Sequence, residues 1–153
     1  MAEEPEHANT ATELLDFMRV VAELNRSLLA VGESVAAAAD LSHARGVCLR
    51  EIADEPRTVA SIAARLDTTR QSVQRLADLL VAGGMAQYAD NPRHRRAKLL
   101  TVTPAGQAAL DRMGAAHHRW VVAVAHDLAA AGLDELSGRL RAVQEVVAGV
   151  DPS

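Results

Sequence analysis

Aromatic residues are nearly absent from this 153-residue chain, which holds one Phe (Phe17), one Tyr (Tyr88) and one Trp (Trp120). Single-stranded nucleic acid is gripped by stacking bases on several aromatic platforms, so three scattered rings argue against that mode of binding. Cysteine is as scarce. Cys48 alone cannot close an intrachain bridge, and it shares a helical stripe with Leu41, Ala44 and Ile52, the pattern of a buried structural thiol. No apolar run of about 18 residues occurs and no basic, apolar leader follows Met1-Ala2-Glu3-Glu4, so a cytoplasmic protein without a membrane span is expected. In that setting Asn25-Arg26-Ser27 carries no meaning as a glycosylation acceptor. Catalytic signatures are missing too. There is no phosphate-cradling glycine loop and no serine or cysteine in a nucleophile motif, and the carboxylates are scattered, so neither an enzyme nor a bound cofactor is expected.

Charge is present but unevenly placed. The whole chain is mildly acidic, with net charge -4. Between Arg57 and Lys98, however, eight basic residues (Arg57, Arg65, Arg70, Arg75, Arg93, Arg95, Arg96, Lys98) face three acidic ones (Asp67, Asp78, Asp90), a local balance of +5 that leaves -9 for the remainder. A polyanion meets the local field rather than the average, so the acidic total is no objection to a nucleic-acid partner. At 49% hydrophobic, a chain of this length can bury about 70% of its unfolded surface in one cooperative unit.

Apolar periodicity places long helices at both ends. Thr10-Ala11-Thr12-Glu13 has capping-box spacing and precedes Leu14, Phe17, Val21, Leu24, Leu28, Val31 and Val35 at steps of three and four. A second stripe (Leu15, Met18, Ala22, Leu29, Ala36) widens that face beyond the need of one intramolecular neighbour, which points to a second subunit. The last element repeats the spacing with Leu136, Leu140, Val143, Val147 and Val150. A further long helix is expected from Thr103-Pro104 to about Ala130, with Leu110, Met113, His117, Trp120, Val124 and Leu128 on one stripe. Gly132 separates it from a terminal helix beginning near Asp134.

Between these seams lies the pattern of a helix-turn-helix. Ser42 can cap a short helix to about Glu51, and Thr58 another whose inner face is Val59, Ile62, Ala63 and Leu66. Asp67 breaks it. Thr68-Thr69-Arg70-Gln71 reads as a second capping box, opening a helix with Val73, Leu76, Ala77 and Leu80 inside and a stop at Gly83-Gly84. Its outer face carries arginine and glutamine, the side chains able to read guanine or adenine edges bidentately in a major groove. Met85–Ala89 and Lys98–Thr103 then flank Asp90-Asn91-Pro92-Arg93-His94-Arg95-Arg96-Ala97-Lys98, a cationic turn between two short strands. Helix-turn-helix followed by a hairpin makes a winged helix, and the fold class expected is mainly α. It comprises a winged helix-turn-helix with a small β-hairpin wing and long N- and C-terminal dimerisation helices.

The segment from about Leu41 to Leu110 resembles the MarR-type winged helix-turn-helix transcriptional regulators. The resemblance is carried most specifically by Gly84 to Gly106, which looks like that family's wing followed by its LT-x-x-G helix start. The family's wing motif D-x-R-D-x-R is filled here by Asn91, Arg93, His94 and Arg96, so both acids are replaced, and Tyr88 stands where an arginine is common. The resemblance implies a homodimeric, sequence-specific regulator of double-stranded DNA, a repressor acting on a palindromic operator and released by a small aromatic or anionic effector. Residues 41–103 would form the DNA-binding domain, and 10–40 with 104–150 the dimerisation region. Recognition-helix contacts are expected from Thr69, Arg70, Gln71, Ser72, Gln74 and Arg75, and wing contacts from Arg93, His94, Arg95, Arg96 and Lys98. Protonation of His94 would add positive charge beside the phosphates. Asn25, Arg45, His117 and Trp120 are the residues expected around an effector. The alternative is a winged-helix module that contacts a protein and not specific DNA.

No metal centre is expected from the six histidines. His43 and His117-His118 stand in places like those of ligands in zinc-responsive relatives, but the positions four beyond His117 and His118 are Val121 and Val122. A hydrogen-bonded core imidazole is the ordinary reading of His117 on its apolar stripe. The sensing cysteine that the resemblance would place near the start of the first helix is absent from it.

Overall fold

The computed structural model describes residues 3–92, 94 and 96–150, with side chains from residue 10 onward. Helices α1 (Glu3–Ala37) and α2 (His43–Arg50) precede strand β1 (Arg57–Thr58), and α3 (Val59–Arg65) and α4 (Arg70–Ala82) follow it. Strands β2 (Ala86–Ala89) and β3 (Leu99–Val102), then α5 (Pro104–Leu128) and α6 (Leu133–Ala148), complete the order. The chain divides into two compact units, Met1–Ala115 and Ala116–Ser153, with α5 running from the first into the second.

Capping chemistry sets the boundaries in the first unit. Ser42 Oγ accepts from the Arg45 amide at 3.5 Å and Thr58 Oγ1 from the Ser61 amide at 3.1 Å, as the sequence predicts for α2 and α3. α4 starts one residue later than expected, with Thr69 as its cap accepting from the Ser72 amide at 3.1 Å. Thr68 is already engaged, because its amide donates to Ala63 O at 3.0 Å across the left-handed Asp67 (φ 46), which closes α3. The same closure ends α4, where Met85 N donates to Leu80 O at 2.9 Å across Gly84 at φ 71. α1 begins at Glu3 rather than at the Thr10 box. Glu3, Glu4 and Pro5 at its start are residues that suit a helix N-terminus, so the helix extends past the expected cap.

Sheet order is β1-β3-β2, all antiparallel, with Ala86 opposite Val102 and Ala89 opposite Leu99 in the hairpin. Strand β1, which pairs Arg57 with Leu100 and Thr58 with Leu99, is not anticipated from the sequence. Two residues are too short to show a period of two. The core of this unit is Cys48, Leu49, Ile52, Ile62, Val73, Leu80, Leu100 and Met113, all fully buried. Cys48 is thus the inert thiol expected, and burial followed by the Glu51 charge pushes its pKa up to about 11. Ala44, placed on the same stripe, is exposed.

The N-terminal helix joins this core only at its end, through Val35 and Ala36. Upstream, Leu14, Leu15, Met18, Leu24, Leu28 and Leu29 are exposed, each showing 48% or more of its surface. In the second unit α6 follows Gly132 (φ 61) and has no buried residue. His117 is exposed rather than a core imidazole, its ring centroid 6.3 Å from that of Trp120.

Candidate nucleic-acid interface

α4 and the wing face each other across a groove of about 620 Å³. Thr58, Val59 and Ala60 form one side at the start of α3, while Arg70, Gln71 and Gln74 come from α4. Tyr88 on β2 and Arg96, Ala97 and Lys98 before β3 complete the lining. Three of these ten residues are cationic and none is acidic, so the groove suits a polyanion. The N-terminus of α4 opens on the same groove, adding its partial positive charge.

The expected recognition-helix residues are brought to one end of α4 but are not equivalent. Arg70, Gln71 and Arg75 are exposed, and their side chains make no hydrogen bond or ion pair to any described residue. Thr69 and Ser72 spend their hydroxyls on each other at 2.8 Å, a contact that fixes the first turn. Gln74 turns its amide toward the wing. Its Nε2 donates to Asp78 Oδ1 at 2.8 Å and to the Tyr88 hydroxyl at 2.7 Å, while Tyr88 donates to the same Oδ1 at 2.8 Å. Partial burial first, then the bond to Asp78 and its charge, push the Tyr88 pKa up to about 12, which keeps the phenol protonated.

On the wing, His94, Arg96 and Lys98 are exposed. Arg93 and Arg95 lie outside the described residues. The turn is closed by His94 N donating to Asn91 O at 3.2 Å and Ala97 N donating to His94 O at 3.0 Å. Two of the eight basic residues counted in this segment are paired with acids away from the groove. Arg57 bonds Glu55 at 2.6 Å and the Glu51 carbonyl at 2.7 Å, and Arg65 pairs with the Glu51 carboxylate at 2.5 Å. Both partners sit just upstream of the counted span, so the local charge available to a ligand is lower than the sequence sum.

The four residues expected around an effector are divided between the units. Asn25 is exposed on α1, and Arg45 is half-buried on α2 with its Nε 3.3 Å from Ser42 Oγ. His117 and Trp120 belong to the second unit. None of the four lines the groove beside α4. Sequence reasoning missed Asp78 and Tyr88 as partners of Gln74 and Thr58–Ala60 as part of the lining. Only the i, i+4 spacing of Gln74 and Asp78 was a visible signal.

A three-helix core carrying a helix-turn-helix and a β-hairpin wing defines the class of winged helix DNA-binding folds. Within that class, residues 39–97, fewer than half of the chain, match the model described as MarR family. The chain is 42% identical over 90 residues to the uncharacterized protein Rv2011c of Mycobacterium tuberculosis, an alignment spanning 59% of this chain and 63% of that relative. Its fold is similar to that of Staphylococcus aureus MarR in complex with salicylate and kanamycin (TM-score 0.77, 17% identity, 94% and 98% of the two chains). It is similar also to a mutant MarR from E. coli complexed with operator DNA (TM-score 0.70, 21% identity, 86% and 95%).

Proposed function

We propose that this chain is a sequence-specific double-stranded DNA-binding transcriptional regulator that acts as a homodimer on a palindromic operator. The single observation that carries this reading is the acid-free groove between α4 and the wing, where Arg70, Arg96 and Lys98 converge beside an exposed helix face. In this reading α4 enters the major groove. Gln71, Gln74 and Arg75 face base edges, Arg70 and the Thr69–Ser72 turn approach phosphates, Arg93 and Arg95 of the wing enter a flanking minor groove, and His94, Arg96 and Lys98 lie beside the phosphates. The exposed apolar face of α1, with α5 and α6, supplies the second-subunit contact, so residues 10–40 and 104–150 form the dimerisation region around a DNA-binding domain at 41–103.

The likeness to a structure with bound salicylate supports a ligand-released repressor, with Asn25, Arg45, His117 and Trp120 as residues to examine. A ligand that prefers a spacing of the two α4 helices unlike that of the operator weakens DNA binding by its differential affinity for the two states. A cytoplasmic location fits this role, and no described helix is long and apolar enough to cross a membrane.

The test is fluorescence anisotropy with DNA from the promoter region next to the coding sequence, at several salt concentrations. A steep loss of affinity with salt at a half-site spacing of about 10 bp, or a multiple of it, is the expected result. Salt-independent behaviour, or equal affinity for all duplexes, would favour a protein-binding winged helix instead.

A further inference from the structure

Gln74 stands on the exposed side of α4 and lines the groove, yet its amide nitrogen is fully occupied. A primary amide carries two N–H donors, and both are drawn to the triangle with Asp78 and Tyr88, as bent bonds because the two acceptors lie only 2.8 Å apart. The orientation is forced by chemistry. A carboxylate has no proton to give, so only Nε2 can face Asp78. The phenol has a single proton, and it is directed to the same carboxylate oxygen, so toward Gln74 the Tyr88 oxygen can only accept. Oε1 is left as the one unspent polar atom of the side chain, and it is an acceptor.

That changes what the residue can read. A glutamine with both ends free reads adenine by donating to N7 and accepting from N6. With its donors spent it is an acceptor alone, as a glutamate is, and the matching base edge is the N4 amino group of cytosine. Adenine would bring its N7 acceptor against the side of the amide backed by the Asp78 carboxylate. Guanine and thymine present acceptors there as well. We infer that Gln74 is a specificity-determining residue that selects cytosine over adenine at one position of each half-site, and that Tyr88 and Asp78 are the positioning residues that impose this choice.

The inference rests on the reading of α4 as the major-groove helix, and the experiment separates the two. Operators are selected from random duplexes with the full-length protein, and every half-site position is then varied through the four bases in competition binding. Cytosine is expected to exceed adenine about tenfold at one position per half-site, and Gln74→Ala should level that position alone. Tyr88→Phe keeps the ring and releases one amide donor, so at that position its preference should move toward adenine while all others stay unchanged. A purely structural role would lower every affinity together, and that result would overturn the assignment of Tyr88.

A second measurement needs only the wild-type protein. On a site carrying adenine at the Gln74 position, replacement by 7-deazaadenine should not lower affinity and should raise it where N7 is repelled, because no donor reaches N7 and that acceptor is set against the Asp78 side of the amide. A severalfold loss there, or a wild-type preference for adenine, overturns the inference while leaving the DNA-binding reading intact. Enrichment of no sequence over the random pool overturns both.

Discussion

Gly106 lies so close beneath Met85 that a Cβ at position 106 would stand 2.0 Å from the Met85 carbonyl oxygen and 2.8 Å from Val102 Cγ2. This contact joins the turn before the wing to the first turn of α5. Thr103 completes the joint, donating from Oγ1 to Gly84 O at 2.6 Å and accepting from Gly106 N at 3.1 Å. Because the obstructing atom is backbone, a side chain cannot be accommodated by a rotamer change. Gly106→Ala should therefore cost about 3 kcal/mol of stability through overpacking, read as a lower urea midpoint at an unchanged slope. A midpoint equal to wild type would show that α5 can shift away from the hairpin without loss.

The unpartnered side chains of α4 and the wing should separate into readers and phosphate contacts. Arg75→Ala should cost about 1 to 3 kcal/mol on the preferred operator and relax preference at one base per half-site. Lys98→Ala should weaken all sequences evenly and reduce the salt slope by about one. Binding isotherms on matched operator variants at several salt concentrations distinguish these outcomes, and an Arg75→Ala variant that loses affinity uniformly would make Arg75 a phosphate contact.

Alkaline pH should loosen the winged-helix unit. Cys48 and Tyr88 are acids whose folded pKa values are raised, to about 11 and about 12, from 9.0 and 10.0. A raised pKa means that the folded state holds the proton more tightly. The stabilisation is thus complete below pH 9 for Cys48 and below pH 10 for Tyr88, and it is lost as pH rises toward 11 and 12 respectively. Denaturation midpoints measured between pH 8 and 12 should fall in that window, and Tyr88→Phe should remove the part lost above pH 10. Below pH 9, Cys48 should react with a thiol reagent only as fast as the unit opens.

The exposed leucines of α1 carry the dimer prediction. Leu24 and Leu28, at 51% and 50% exposure, lie on the seam that would meet a second copy. Leu24→Glu should convert a particle of twice the chain mass to a monomer in sedimentation. It should also abolish tight operator binding while leaving Cys48 protected, because Leu24 is not part of the core around that thiol. Unchanged mass would remove α1 from the subunit contact.

Local rules were enough to locate most of the winged helix. A side-chain cap is a contact between residues three apart, so Ser42, Thr58 and Thr103 could be read directly, and the cationic turn between two four-residue strands marked the wing. The same locality explains the misplacements. Thr68 and Thr69 are both good caps, and the choice fell to Thr69 only because Thr68 is used in closing α3. Strand β1 exists because Leu99 and Leu100 offer it an edge more than forty residues away in the chain.

Charge and hydrogen-bonding capacity are still less local. The sequence by itself determined the helices, the hairpin and an excess of cations between Arg57 and Lys98, since these follow from periodicity, capping and composition. Only the tertiary structure decided which cations and amides remain available. Glu51 neutralises Arg65 from fourteen residues away, and Tyr88, also fourteen residues distant, takes a donor from Gln74. A side chain's type fixes how many hydrogen bonds it can make. Which of them are left for a ligand depends on neighbours that only folding brings within 3 Å.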